Sequence, residues 1–265
     1  MTDTTTTPEA NTEPVVLTET AGNVLVITLN RPAARNAATA QMALDMARIL
    51  DEFEADDELF VAVLTGAGET FCSGMDLKAF LRGERPSIPG RGFLALTEAP
   101  PSKPIIAAVE GYALAGGFET MLACDLVVAA ETAKFGIPEV KRGLVAAAGG
   151  LVTLPERTHR AVAVEMALTG DIYPAEFGQR NGFVNRITGA GEALDGALEL
   201  AQKIAANGPL AVRVSKQIIT ESADWPSADK FSRQRVLSDP VFESSDAKEG
   251  AAAFAEKRDP QWTGR

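Results

Sequence analysis

The sequence predicts an α/β domain with largely buried strands, followed by a helical C-terminal quarter. Three observations carry this. Short apolar runs such as "LFVAVLTG", "KPIIAAVEG" and "CDLVVAAE" alternate with stretches of helical period. These runs are continuously apolar, the pattern of strands covered on both faces. From about residue 160 onward nearly every segment reads as helix.

The elements follow in chain order. "VVLTETAGNVLVITLNRP" alternates around Gly22-Asn23 and predicts a β-hairpin over about 15–30. "TAQMALDMARILDEFEADD" sets Met42, Met46, Ile49 and Phe53 on one face of a helix. "LFVAVLTG" is a buried strand, and Pro104 introduces the next, "KPIIAAVEG". The stretch between Phe80 and Pro104 is rich in Pro, Gly and Arg and reads as a mobile loop with a helical piece, of the kind that borders a site. After "RAVAVEMALTG" and the short helix of "PAEFGQRNG" comes the strand "FVNRI". Four further helices close the chain: "EALDGALELAQKIAANG", "PLAVRVSKQIITESA", "SADKFSRQRVLS" and "DAKEGAAAFAEKR".

Composition narrows the function. The 265 residues, 46% apolar and 23% charged, fit a soluble globular chain of one large or two small domains. The longest apolar runs are broken by charge and too short to cross a bilayer, so no membrane association is expected. "MTDTTTTPEANTEP" lacks the basic start and apolar core of a secretory signal and reads as a disordered tail. Two cysteines, Cys72 and Cys124, make no disulfide framework, and a reducing cytoplasm is the simpler setting. Two cysteines and one histidine leave no structural zinc set, and no metal is expected. That histidine, His159, sits at a surface-looking helix start, and Ser73 is not in a G-x-S-x-G elbow. Both points count against a serine hydrolase. The net charge of -11 counts against nucleic-acid binding. It does not exclude a small anionic ligand, because basic residues cluster locally: Lys78, Arg82, Arg85 and Arg91 early, Lys257 and Arg258 late.

Three places can carry chemistry. In "GYALAGGFETMLACD" a strand turns into a helix near Gly116, where backbone N–H groups are free and Gly116-Gly117 let a ligand approach. That suits an oxyanion. Glu119 lies one turn inside among Phe118, Met121 and Leu122. It is either an acid–base group with a raised pKa or a solvated Glu favoured by the helix dipole. "CSGMDLKAF" is a second Gly-bearing turn before a helix: a second donor set, or a plain turn capped by Asp76. "FGIPEVKRG" places Glu139 directly after Pro138. Together, two donor turns flank two carboxylates. Donors converging on one carbonyl oxygen would stabilise an enolate, each by about 3 kcal/mol. The carboxylates could move protons and orient a water.

These residues lie in a chain that resembles the enoyl-CoA hydratase/isomerase (crotonase) superfamily over about 15–265. The matching pieces are "ITLNRPAARNA", "FCSGMDL", "IAAVEGYALAGGFE", "CDLVVAAETAKFGIPEVKRGL", Gly149-Gly150, "MALTGDIYPAEFGQRNGFVNRI" and "AFAEKRDPQW". The resemblance implies a spiral core of ββα units over 15–200, a helical trimerisation region over 201–265 and a tail over 1–14. Homotrimers, or dimers of trimers, are expected. It puts the oxyanion donors on the N–H groups of Met75 and Gly116. It makes Glu119 the activator of the water and Glu139, 20 positions later, the group that protonates the α-carbon. It assigns the acyl-CoA substrate to Ala33, Ala34, Arg35, Ser73, Met75, Asp76, Leu77, Lys78 and Gly116. Phe254 and Lys257, from this or a neighbouring subunit, complete that set. Coenzyme A arrives as part of the substrate, and no cofactor is expected. Retention of both glutamates implies a hydratase acting on 2-enoyl-CoA in fatty acid or related acyl-CoA metabolism. A carnitinyl-CoA dehydratase-like enzyme, another lyase or isomerase of the family, and a non-catalytic acyl-CoA-binding protein are the alternatives. Two departures stand out: the usual triple-glycine turn begins with Ala115, and the frequent "PGAGG" is "AAAGG", Ala146 to Gly150, expected beside Glu139.

Overall fold

The computed structural model describes residues 14–265, so the expected N-terminal tail lies, except for Pro14, outside the described residues. The hairpin is β1 (Val16–Ala21) and β2 (Val24–Leu29), turned at Gly22. A 3-10 turn (Pro32–Ala34) leads to α1 (Ala40–Ala55), capped by the Thr39 side chain, which accepts from the Met42 N–H. Met42, Met46, Ile49 and Phe53 are all buried on its inner face. Then come β3 (Val61–Gly66) and α2 (Leu77–Leu81), capped by Asp76. The two-residue strands β4 (Ser87–Ile88) and β5 (Gly92–Phe93) pair antiparallel.

The next stretch brings the chemistry. Strand β6 (Ile105–Val109) is followed by β7 (Tyr112–Leu114), α3 (Gly116–Ala123), β8 (Leu126–Ala130) and β9 (Lys134–Gly136). A second 3-10 turn (Pro138–Arg142) precedes α4 (Gly150–Arg157) and α5 (Arg160–Thr169). After β10 (Ile172–Pro174), α6 (Ala175–Arg180) and β11 (Arg186–Thr188) come α7 (Ala193–Ala205), α8 (Pro209–Glu221), α9 (Lys230–Glu243) and α10 (Ser245–Glu256).

The main sheet has the order β1-β2-β3-β6-β8-β11; β1 is antiparallel to β2 and every other neighbour is parallel. A smaller sheet, β10-β9-β7, stands beside it. Successive residues of the main strands enter different cores, as the two-residue period requires. Ala62 and Leu64, Ile105 and Ala107, Val127 and Ala129 face the large core. Val61 and Val63, Ile106 and Ala108, and Val128 face a second core with Ala197 and Ala201 of α7. This is why the strands read as unbroken apolar runs.

Helix α3 is seated by an aromatic cluster. The Phe118 and Phe135 rings each meet Phe183 edge-on, with centroids 5.6 and 5.7 Å apart. That fixes the rotation of α3 and so the aim of Glu119, the next residue. The stretch between Phe80 and Pro104 departs from its expectation. Past the end of α2 it holds the β4–β5 hairpin and a tight turn in place of a helical piece. Leu94, Ala95 and Leu96 are fully buried, so apolar packing holds it against the core.

Candidate active site

Two turns meet at the start of α3. The chain leaves β7 through Ala115, at φ 52° and ψ -130°, a region that costs a non-glycine residue about 1–3 kcal/mol. The other turn runs from Cys72 to Asp76 and passes through Gly74 at φ 96°. Hydrogen bonds pair the two: Cys72 N–H donates to Tyr112 O and Leu114 N–H to Cys72 O, both at 3.0 Å. Contact is so close that a methyl group on Gly117 would lie 2.1 Å from the Cys72 carbonyl oxygen. One on Gly74 would lie 2.9 Å from Ala115 Cβ and 3.2 Å from Gly116 N. Neither the Met75 nor the Gly116 N–H finds an acceptor among the described residues. The sequence thus produces two unspent donors on adjoining turns, the requirement for polarising one carbonyl oxygen.

Glu119 is 4% exposed. Its Oε1 accepts the N–H of Ala148 at 2.8 Å and that of Gly150 at 2.9 Å. Burial raises its pKa; the two N–H groups oppose that rise. The cradle occupies one oxygen, and Oε2 accepts nothing from the described residues. Glu139, on the second 3-10 turn, is partly buried. Its Oε2 is shielded from solvent and has no hydrogen-bond partner among the described residues. Burial first, and then the nearby charge of Glu119, push its pKa up to about 7, against its own backbone N–H and Arg142. The two carboxyls therefore sit within electrostatic reach of each other; burial raises both, while backbone N–H groups from another segment hold only Glu119. Unlike surroundings of this kind can divide base and acid roles.

The early loop is stitched to the second turn. Ser73 N–H donates to Arg35 O, Ala38 N–H to Gly74 O and Asp76 N–H to Ala38 O. Arg31 pairs with Asp76 at 2.9 Å, and the Asp76 carboxylate also caps α2. Asn36, fully buried, accepts from Arg31 N–H and donates to Ala67 O and Thr70 O. Arg35 and Ala38 are thus tied to the turn from Ser73 to Asp76; Ala33 and Ala34 precede Arg35, and Leu77 and Lys78 follow Asp76 into α2, so this rim adjoins the Met75 donor. Arg35 and Lys78 are exposed and no acid pairs with them among the described residues. Phe254, 88% exposed, and Lys257 lie at the far end of α10, and no hydrogen bond ties them to that rim.

The "AAAGG" stretch, expected to shape the pocket beside Glu139, holds the other carboxyl of the pair: Ala148 and Gly150 donate to Glu119, and a methyl on Gly150 would lie 2.8 Å from Glu119 Cγ. A sequence signal exists for this: Gly149-Gly150 repeats the paired glycines of a helix start. His159 is exposed at the N-cap of α5, away from both carboxyls' hydrogen bonds. A cleft of about 570 Å³ lies between the C-terminal tail and α7, lined by Asp57, Trp262 and Arg265 among others. It contains none of these donors or carboxyls, so chemistry rather than concavity locates the site.

Comparison with known proteins bears on the family and the fold. The family model described as enoyl-CoA hydratase/isomerase matches residues 19–265. The carnitinyl-CoA dehydratase of Escherichia coli K12 is 45% identical over 253 residues, 92% of this chain and 96% of that protein. The crystal structure of an enoyl-CoA hydratase from Mycobacterium tuberculosis H37Rv superposes with a TM-score of 0.94 at 56% identity, covering 96% of this chain and all of that one. A carnitinyl-CoA hydratase from Mycobacterium avium gives 0.77 at 42% identity, over 96% of this chain and all of that one. The α/β core with its C-terminal helices is the crotonase fold, and the chain belongs to the enoyl-CoA hydratase/isomerase family.

Proposed function

We propose that this protein is an enoyl-CoA hydratase, adding water reversibly and syn across the double bond of a trans-2-enoyl-CoA. The observation that carries the reading is the pair of unlike carboxyls, Glu119 and Glu139, beside two unspent N–H donors. The thioester oxygen sits on Met75 N–H and Gly116 N–H. Water bonds to the β-carbon as Glu119 Oε2 takes its proton, and the π electrons move onto the thioester oxygen as an enolate. Each donor stabilises that charge by about 3 kcal/mol. The enolate collapses as Glu139 delivers its proton to the α-carbon. Glu139, with a pKa of about 7, still holds a proton in much of the population near neutrality. One proton then returns from Glu119 to Glu139. Nothing is oxidised or reduced, so the reaction balances without a redox cofactor.

The coenzyme A portion lies along the rim from Ala33 to Arg35 and Ser73 to Lys78, where exposed Arg35 and Lys78 suit phosphates. Phe254 and Lys257 serve a neighbouring subunit's rim. A homotrimer, or a dimer of trimers, is supported by the apolar residues that α8, α9 and α10 leave exposed: Ile219, Phe231, Val236, Phe242 and Phe254. Helix α9 carries no buried residue at all. No helix among the described residues is long and apolar enough to cross a membrane. Two free, buried cysteines suit a reducing cytoplasm, where the reaction belongs to fatty acid or related acyl-CoA oxidation.

The relationship to carnitinyl-CoA dehydratase gives a second reading, in which the acyl group is a crotonobetainyl one. Absorbance assays of the enoyl thioester, with crotonyl-CoA, longer enoyl-CoAs and crotonobetainyl-CoA, decide between them. Turnover of the simple enoyl-CoAs is the expected result. Turnover of crotonobetainyl-CoA alone would establish the second reading, and turnover of none would refute both.

A further inference from the structure

We propose that Phe93 determines which acyl groups the site accepts, an inference that rests on the acyl-CoA reading above. Its ring covers the donor turn: a methyl group on Gly116 would lie 2.6 Å from Phe93 Cζ and 2.9 Å from both Cε atoms. Four residues on, the Thr97 carbonyl oxygen faces Gly149, whose Cβ position lies 3.7 Å away. Gly149 sits between Ala148 and Gly150, the residues that hold Glu119. The segment from Phe93 to Thr97 therefore runs from the oxyanion donor to the carboxylate cradle. An acyl group with its carbonyl on the donors and its α- and β-carbons at the carboxyls must pass along this segment.

The segment is built to hold that position. Leu94 and Ala95 are consecutive non-glycine residues at φ 50° and 55°, both fully buried. Such backbone persists only where surrounding structure over-determines it, and it concentrates at ligand clamps. The Phe93 N–H donates to Thr97 Oγ1 at 2.9 Å and Thr97 N–H returns to Phe93 O, closing the turn on itself. Leu94 N–H donates to Pro86 O, and Glu98 N–H to Arg91 O. Phe93 is 6% exposed, so the ring occupies volume next to the donor that a longer or bulkier acyl group would need.

The test compares binding and turnover in Phe93→Ala, Phe93→Leu and Phe93→Trp. Binding of butanoyl-CoA and decanoyl-CoA by calorimetry gives a chain-length preference that needs no chemistry. The alanine variant is expected to shift that preference toward decanoyl-CoA by at least about tenfold, the equivalent of two further buried methylenes. Leucine shifts it less, and tryptophan shifts it toward butanoyl-CoA. The ratio of kcat/KM for trans-2-decenoyl-CoA to that for crotonyl-CoA moves in parallel. A binding preference within twofold of wild type in every variant that keeps the wild-type circular dichroism spectrum overturns the proposal. Should alanine disrupt the fold, leucine and tryptophan still decide by their opposite signs. If the wild-type protein binds both esters yet hydrates neither enoyl-CoA, the hydratase reading fails while the binding preferences still judge Phe93.

Discussion

Replacing Glu139 by glutamine is expected to lower kcat for enoyl-CoA hydration by about 10²–10⁴-fold, the range for loss of one positioned acid–base group. An amide has nearly the same volume, so binding of a saturated acyl-CoA should survive. The variant also changes stability in a direction the pKa dictates. In the folded chain Glu139 titrates near 7, above its ordinary value of 4.5. Below about pH 4.5 the carboxyl is protonated both folded and unfolded, and it costs nothing. As pH rises through the interval to 7, the unfolded chain ionises it freely while the folded chain resists. The native protein therefore loses stability across that window, and Glu139→Gln does not. Urea unfolding at pH 4.5 and pH 8 should find the variant gaining on wild type at the higher pH. A variant with near-normal turnover, or with no relative gain, would mean that Glu139 is not the buried proton donor to the α-carbon.

Glu119→Gln is expected to lose hydration by a comparable factor of about 10²–10⁴ for a different reason. Its Oε1 accepts from Ala148 and Gly150, and a glutamine carbonyl can accept the same two N–H groups. The amide nitrogen then takes the place of Oε2, where it cannot take a proton from water. The cradle thus persists and the base disappears. The loss should fall on kcat, with acyl-CoA affinity preserved, and steady-state kinetics beside calorimetry separate the two. A second consequence follows from the coupling of the pair. Glu119 raises the Glu139 pKa by its charge, so Glu119→Gln should lower the pKa at which Glu139 titrates, an effect readable by carboxyl NMR. Retained turnover would leave Glu119 a structural carboxylate.

Much of this architecture is legible in the chain. Helix α1 announces itself by Met42, Met46, Ile49 and Phe53, and the hairpin by alternation around Gly22-Asn23. Those signals are local, set by periods of 3.6 and 2 residues. Glu119 stands out because a charge in apolar sequence needs a reason; Glu139, at the start of a turn, is a weak signal alone and gains weight only beside Glu119 and the two donor turns. The convergence of Met75 with Gly116 comes from family resemblance; its physical cause appears only in the turn-to-turn hydrogen bonds between Cys72, Tyr112 and Leu114. The cradle from Ala148 and Gly150 is not legible in the sequence because it joins Glu119 to residues about thirty positions on. No local pattern encodes such a contact. The segment after Phe80 misleads for a similar reason: its Pro, Gly and Arg content reads as loop, while Leu94 and Leu96 fill the core.

On the proposed mechanism, Glu119 and Glu139 add the elements of water to one face of an enoyl thioester held at Met75 and Gly116. Proton NMR of the product formed from crotonyl-CoA in heavy water tests it most directly. The expected product is 3-hydroxybutanoyl-CoA with one deuterium at the α-carbon, on the same face as the new hydroxyl. A product with the double bond moved and deuterium at the γ-carbon, or a product with anti addition, would contradict it.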